Sequence, residues 1–233
     1  MGGKVRLGPG GSAGSGSLPH GPAGRRPARL ARPSAPRVGT VTAGKLRPTS
    51  NRLLNPVLRA LAAAGVSPNL VTVVGFSLSL AAAGLILAGF WPAAGVVFWA
   101  SGLTDLLDGG LARLTGRTSR FGAFLDSTLD RLSEAVVLGA AAYEFGRRGD
   151  EVGVGLAFGA AAFGLLTSYA RARAEGLGLR GDVGVADRGV RVVLLGAGLV
   201  AGPVKVALGV LTLLGAVTVT QRILYVRRQA SGD

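Results

Sequence analysis

Residues 105–130 read DLLDGGLARLTGRTSRFGAFLDSTLD and place four aspartates within two apolar stretches of the chain. Asp105 and Asp108 are three residues apart, and Asp126 and Asp130 are four apart, so each pair shares one face of a helix. A carboxylate inside a bilayer costs about 3 kcal/mol on insertion scales. Four carboxylates on two consecutive helices therefore predict a shared partner that offsets their charge.

The surrounding sequence favours a membrane environment. Hydrophobic residues make up 48% of the 233 residues and charged residues 16%, whereas soluble domains average about 25% charged residues. Six apolar runs approach the length that a bilayer core requires, and their nearly all-round apolarity disfavours a soluble helical bundle. We therefore predict an all-α membrane protein with six transmembrane helices. The runs are residues 69–89, 91–112, 121–143, 152–172, 187–203 and 205–224.

A shorter helix is predicted before the first of these runs. Over residues 52–64, apolar residues recur at helical spacing beside Arg52, Asn55 and Arg59. This pattern is typical of an amphipathic helix that lies in the membrane interface. Ser67 and Pro68 then predict the start of the first transmembrane helix, because serine caps helices and proline suits the first position.

The N-terminal segment has a different composition. Residues 1–49 are rich in Gly, Pro and Arg, and no acidic residue precedes Asp105. Such a segment buries too little apolar surface to fold, so we predict a disordered basic tail near anionic lipid. It contains no nucleic-acid-binding motif, and no nucleic-acid partner is expected. Residues 50–226 then form the membrane domain, and residues 227–233 form a cytoplasmic C-terminal tail.

The distribution of basic residues predicts the topology. Arg and Lys concentrate in the N-terminal tail, around residues 113–120 and 171–191, and near the C-terminus. Positively charged connections remain on the cytoplasmic side of membranes. We therefore expect a multi-pass plasma membrane protein whose two termini and four aspartates face the cytoplasm.

The residue types restrict the chemistry of the aspartates. The chain has no cysteine, and its single histidine, His20, lies in the tail, so oxygen ligands must hold any metal. Converging carboxylates repel each other, and one or two Mg²⁺ ions would relieve that repulsion. Gly109 leaves room for a bulky ligand, and Arg113 suits a phosphate. These residues suggest phosphoryl transfer on a lipid diphosphate; a cation transporter is the non-enzymatic alternative.

The same residues resemble a known family. They match every fixed position of the pattern DxxDGxxAR(x8)GxxxDxxxD, which is typical of CDP-alcohol phosphatidyltransferases, and the resemblance covers residues 50–226. It implies an enzyme that joins a CDP-linked lipid, CDP-diacylglycerol, to a small alcohol and releases CMP. It also implies a homodimer, a six-helix membrane fold, and two divalent metal ions, Mg²⁺ or alternatively Mn²⁺.

The resemblance also implies roles for individual residues. The four aspartates, Asp105, Asp108, Asp126 and Asp130, would be metal ligands, and Asp130 would also be the general base. A second group would bind the CDP-lipid. This group is Asn69, Thr72, Gly109, Arg113 and Ser119.

A further region concerns the acceptor alcohol. Residues 168–175 read SYARARAE, 178–182 read GLRGD and 187–191 read DRGVR. Arginines at the inner membrane face favour an acceptor that carries a phosphate, although positive-inside topology alone would also place arginines there. The motifs are similar to those of actinobacterial phosphatidylinositol phosphate synthases, whose acceptor is inositol 1-phosphate. This similarity implies an acceptor-phosphate site of Ser168, Arg171, Arg173, Arg188 and Arg191.

The match to these synthases has two departures. Arg171 stands where lysine is expected, and DRGVR stands for a Glu-Arg-Pro-Glu-Arg pattern. Glycerol 3-phosphate, the acceptor of phosphatidylglycerophosphate synthases, is also phosphorylated. It therefore remains the alternative acceptor.

Overall fold

The computed structural model describes residue 2 and residues 48–231, with the side chains described from residue 54 onward. The predicted tail therefore lies almost wholly outside the described residues, as do residues 232 and 233. All regular structure within the described range is helical. The helices are α1 (Pro48–Ala63), α2 (Pro68–Leu87), α3 (Trp91–Leu114), α4 (Arg120–Arg147), α5 (Glu151–Gly176), α6 (Arg188–Ala201) and α7 (Val204–Ala230).

Side-chain caps set where four of these helices begin. Ser67 accepts a hydrogen bond from the Leu70 N–H at 3.2 Å, and Pro68 follows it at the first helical position, as predicted. Such caps satisfy backbone donors that the first turn leaves unpaired. The other three caps are Ser119 for α4, Asp150 for α5 and Asp187 for α6.

Six helices form a closed ring. Following the contacts, α2 packs on α3, α3 on α6, α6 on α7, α7 on α5, α5 on α4, and α4 on α2. The amphipathic helix α1 lies outside this ring against α3, where Leu58 packs with Val71 and Leu111. This ring brings the C-terminal end of α3 and the N-terminal ends of α4 and α6 close together.

Small residues let the helices approach closely, as expected in membranes. A Cβ atom on Gly75 of α2 would lie 2.0 Å from Thr104 Oγ1 on α3. A Cβ atom on Gly196 of α6 would lie 2.1 Å from Trp99 Nε1, which donates a hydrogen bond to the Val193 carbonyl. Larger side chains at either glycine would force these helices apart.

The predicted number of membrane spans is only partly confirmed. A helix lies at each of the six predicted positions, but three of the described helices, α2, α5 and α7, are long and apolar enough to cross a bilayer. The fifth predicted span, residues 187–203, forms α6, whose 14 residues extend only about 21 Å against a core of roughly 30 Å. The observed helix begins one residue after the predicted start and ends two residues before the predicted end.

A buried ion pair links α4 to α6 across the ring. Arg191 donates to both carboxylate oxygens of Glu134, at 2.7 and 2.9 Å, and its Nη1 donates to the Ala186 carbonyl at 3.1 Å. The Arg191 residue is 4% exposed. Because both charges are removed from solvent, each depends on the other for neutralisation.

We predict that Glu134→Gln destabilises the fold markedly, because it leaves the Arg191 guanidinium buried without a counter-charge. Loss of one partner of a buried pair costs about 3–5 kcal/mol. Thermal unfolding in detergent micelles measures the effect as a lower melting temperature. Glu175→Gln is the matched control, since the exposed Arg171–Glu175 pair should contribute about 0–1 kcal/mol. Equal melting temperatures for the two variants would contradict this prediction.

Candidate active site

Three of the four aspartates form a compact group where α3 ends and α4 begins. Carboxylate oxygens of Asp105, Asp108 and Asp126 all lie within 4.8 Å of one another. The connection between α3 and α4 spans only residues 115–119, so the two helices return antiparallel and bring their carboxylates together. The predicted convergence is therefore present for these three residues.

Asp130 lies one turn further along α4 and faces an arginine. Its Oδ2 lies 2.9 Å from Arg188 Nη1, and the same Nη1 also donates to Asp105 Oδ2. Arg188 is the first residue of α6, and α6 packs against α3, which brings its guanidinium between the two carboxylates. This arrangement offsets part of the repulsion among the aspartates.

The carboxylate group fits a divalent metal ion. Three oxygen donors at this separation match the ligands that Mg²⁺ and Mn²⁺ prefer, and cysteine is absent from the chain. Asp108 is only 5% exposed, and its Oδ2 accepts a hydrogen bond from Thr72 Oγ1 at 2.7 Å. Hydrogen bonds of this kind orient a ligating carboxylate. Thr72 therefore also orients the Asp108 carboxylate, in addition to the CDP-lipid role predicted for it.

A cleft of about 200 Å³ opens beside the aspartates. Asp108 and Asp126 form part of its wall, so a ligand in the cleft would contact the carboxylate group directly. All five residues predicted to bind the CDP-lipid also line it, and α2, α3 and the α3–α4 connection contribute them. These residues are Asn69, Thr72, Gly109, Arg113 and Ser119.

Two further residues of the cleft had no predicted binding role. Arg117 also lines it and adds a second exposed cation near Arg113. Gly122 lies where a Cβ atom would come within 3.1 Å of Asn69 Oδ1 and 3.0 Å of Ser119 Oγ. The position of Arg117 in the basic stretch of residues 113–120, close to Arg113, was a signal that could have identified it. Gly122 allows α2 and α4 to approach at the cleft, which explains why a glycine occupies this fixed position of the motif.

The five predicted acceptor-phosphate residues do not gather in one pocket of the described structure. Arg171 is exposed and pairs with Glu175 at 2.9 Å, and Arg173 lines a groove between α5 and α7. Ser168 lies half-buried on α5, one turn before Arg171. Arg188 reaches the aspartates instead, as described above. Arg191 also differs from the expectation, because its guanidinium is buried on Glu134 rather than open to a phosphate.

We predict that Asp108→Asn weakens Mn²⁺ binding about 10-fold or more, because the amide removes one anionic donor from the carboxylate group. Electron paramagnetic resonance of free Mn²⁺ measures the affinity without any substrate. Glu151 is the first residue of α5 and lies at the far end of α4 from the aspartates, so Glu151→Gln should bind Mn²⁺ as the wild type does. Unchanged affinity in Asp108→Asn would contradict a metal site at these residues.

The sequence matches a family model and several curated proteins. The model for CDP-alcohol phosphatidyltransferase matches residues 65–220. The phosphatidylinositol phosphate synthase of Cutibacterium acnes is 37% identical over 198 residues, which cover 76% of this chain and 93% of that protein. The archaetidylinositol phosphate synthase of Methanothermobacter thermautotrophicus is 37% identical over 191 residues, covering 78% of this chain and 92% of that protein.

Solved structures of a related enzyme share the fold. The phosphatidylinositol phosphate synthase of Mycobacterium tuberculosis with CDP-DAG bound is 32% identical, with a TM-score of 0.69 over 75% of this chain and 94% of that chain. Its complex with manganese and citrate gives a TM-score of 0.68 over 73% of this chain and 87% of that chain. These matches rule out the transporter alternative and confirm the resemblance of the aspartate motif. The chain is a membrane enzyme that belongs to the CDP-alcohol phosphatidyltransferase family.

Proposed function

We propose that the chain transfers the phosphatidyl group of CDP-diacylglycerol to inositol 1-phosphate, which gives phosphatidylinositol phosphate and CMP. One observation carries this proposal: a single cleft contains all five candidate CDP-lipid residues and borders the aspartates. The names of the relatives from Cutibacterium acnes and Mycobacterium tuberculosis support the product, and the bound CDP-DAG of the latter supports the donor.

The cleft suits the diphosphate of the donor. Arg113 and Arg117 supply two exposed cations there, and guanidinium groups bind phosphate oxygens with directed hydrogen bonds. Arg113 Nη1 lies 3.5 Å from the point where a Cβ atom on Gly109 would sit. Because Gly109 has no side chain, a phosphate can approach both the helix backbone and this guanidinium.

The aspartates would hold the metal ions. We assign two Mg²⁺ ions, with Mn²⁺ as a substitute, to Asp105, Asp108, Asp126 and Asp130, and the manganese complex of the Mycobacterium tuberculosis enzyme supports this choice. When bound, such ions neutralise the diphosphate and stabilise CMP as the leaving group.

Asp130 would serve as the general base. Its carboxylate accepts the proton of the acceptor hydroxyl, whose oxygen attacks the phosphorus bonded to diacylglycerol. A phosphorus–oxygen bond to the acceptor forms while the bond to the CMP oxygen breaks. Arg188, 2.9 Å from Asp130 Oδ2, keeps this carboxylate oriented toward the aspartate group. Positioning and charge stabilisation supply most of the catalysis in such transfers.

The acceptor phosphate would bind beside Asp130. Arg188 is suited to contact it, because its Nε is buried and has no hydrogen-bond partner within residues 48–231. Ser168, Arg171 and Arg173 lie on α5, and we assign them to the acceptor phosphate as well. We assign Arg191 an indirect part, since its pair with Glu134 fixes the turn of α6 that carries Arg188.

The membrane arrangement belongs to the same proposal. We infer six spans in the plasma membrane, with both termini and the active site in the cytoplasm, and assembly as a homodimer. Basic residues at the aspartate end of the helices, such as Arg113, Arg120 and Arg171, support this orientation. The short helix α6 starts level with the aspartates, so its span would be completed by local thinning or by neighbouring helices.

We predict that the purified enzyme in proteoliposomes with CDP-diacylglycerol and Mg²⁺ releases CMP with inositol 1-phosphate but not with free inositol. The acceptor arginines have a phosphate to bind only in the first case. Glycerol 3-phosphate and serine are compared in parallel. Activity with glycerol 3-phosphate alone would overturn the assigned acceptor, and activity that needs no divalent metal would overturn the mechanism.

We predict that Asp130→Asn lowers turnover at least about 100-fold, because an amide cannot accept the acceptor proton. CMP release gives the rate, and thermal unfolding shows whether the variant is folded. Glu151→Gln provides a carboxylate-to-amide control outside the site. Turnover near the wild-type rate in folded Asp130→Asn would refute its role as the base.

A further inference from the structure

A cavity of about 380 Å³ lies at the end of the bundle opposite the aspartates. Trp91, the first residue of α3, forms part of its wall. Asp108 follows 17 positions later on the same helix, about 26 Å away at 1.5 Å per residue. This separation is close to the thickness of the hydrocarbon core of a bilayer, roughly 30 Å. The cavity therefore lies toward the membrane face away from the aspartates.

Three helices that are not neighbours in the ring converge on this cavity. They are α3, α4 and α7, and the end of α6 completes the wall. The residues that they contribute are Trp91 and Pro92 from α3, Phe145 and Arg148 from α4 and its C-terminal cap, Val204, Lys205 and Val206 from α7, and Leu199 from α6. A molecule bound here would join helix ends that the ring keeps apart.

Two cations stand at the rim, and carboxylates outside the cavity hold both in place. Arg148 Nε donates to the buried Glu144 at 2.8 Å, and the guanidinium lies 5.6 Å from the centre of the Trp91 ring. Lys205 Nζ lies 2.9 Å from Asp150 Oδ2. Both basic side chains remain about half exposed, so each keeps donors for a ligand. Within the described residues, no carboxylate lines the cavity.

The wall contains further donors that lack an acceptor. Among α2–α7, only α3 and α7 begin without a side-chain cap, and both begin at this cavity. The amides of Lys205 and Val206, in the first turn of α7, form none of the described hydrogen bonds. Trp91 Nε1 is buried, and no acceptor reaches it in the described part of the chain. Free amides at helix N-termini attract anions, so a ligand that suits this wall is negatively charged.

The apolar part of the wall indicates which kind of anion fits. Phe145, Leu199 and Val204 line the cavity with surface that a free phosphate ion could not use. A phospholipid joins a phosphodiester to glycerol and acyl chains, so it matches both the donors and the apolar surface. A zwitterionic headgroup would bring its own cation beside Arg148 and Lys205, which favours an anionic lipid.

We propose that this cavity binds the phosphodiester of an anionic phospholipid in the membrane leaflet opposite the active site. Arg148 and Lys205 contact the phosphate oxygens, the first turn of α7 donates its free amides, and the lipid chains lie along the apolar wall. The bound lipid joins the ends of α3, α4 and α7 and stabilises the bundle. It takes no part in the transfer reaction, so its test is independent of the proposed function.

Tryptophan fluorescence tests the site, because the chain has two tryptophans and only Trp91 lines the cavity. The Trp99→Phe protein, in detergent micelles, is titrated with phosphatidylglycerol or phosphatidylcholine that carries bromine on its acyl chains. We expect phosphatidylglycerol to reach half-maximal quenching at a lipid fraction about fivefold lower, the factor that one basic residue contributes beside anionic lipid. Lys205→Gln should remove this preference, and Lys205→Arg should keep it. Arg228→Gln removes the same charge at the other end of α7 and should leave the preference unchanged.

Thermal unfolding of the protein with both tryptophans gives a second readout, which carries the test if Trp99→Phe does not fold. Phosphatidylglycerol should raise the melting temperature more than phosphatidylcholine does, both in the wild type and in Arg228→Gln. Lys205→Gln should lose this difference. Equal effects of the two lipids on the wild type, or equal results for Lys205→Gln and Arg228→Gln, would overturn the proposal. Quenching by phosphatidylglycerol that excess inorganic phosphate abolishes would also overturn it, because the site would then bind a soluble anion.

Discussion

The structure depends on the mutual repulsion of carboxylates that two neighbouring membrane helices bring together. Carboxylate oxygens of Asp105, Asp108 and Asp126 lie within 4.8 Å of one another, and such a group persists only if cations offset its charge. The chain supplies one of these cations itself, since Arg188 reaches Asp105 and Asp130 from α6. The ring order of the helices follows from this need, because α6 must lie beside α3 to deliver that guanidinium.

Local spacing made the aspartate site predictable. Residues three and four apart on a helix share a face, and a short connection returns the next helix antiparallel, so convergence of Asp105, Asp108 and Asp126 follows from the sequence. The start of α2 at Ser67 was predictable for the same reason, because the serine cap and the proline that follows it are neighbours in the sequence. The family resemblance added the five cleft residues, which spacing alone would not have identified because they come from two helices and a connection.

Contacts between distant parts of the chain were not predictable. Glu134 and Arg191 are 57 residues apart, and no periodic pattern marks them as partners, so Arg191 was assigned to phosphate instead. Arg188 was assigned to the acceptor phosphate with the other arginines for the same reason. Its charge and its predicted side of the membrane do not reveal that its side chain contacts Asp105 and Asp130. The fifth predicted run, residues 187–203, is only slightly longer than α6, because Asp187 caps the start of the helix and Gly202, with a φ of 96°, ends it.

The CDP-lipid and the acceptor alcohol would bind to parts of the protein that are built differently. The cleft beside the aspartates is built on helices that glycines such as Gly75 bring into direct contact, which leaves little freedom for its residues to change. The loop of residues 177–187, which joins α5 to α6, is instead held by hydrogen bonds to three side chains of α7, those of Thr218, Arg222 and Gln229. Substitutions in this loop and in the three residues that hold it could therefore change which alcohol is accepted. The cleft and the aspartates that act on the nucleotide would stay the same. Diversity within such a family should accumulate on one side of the active site.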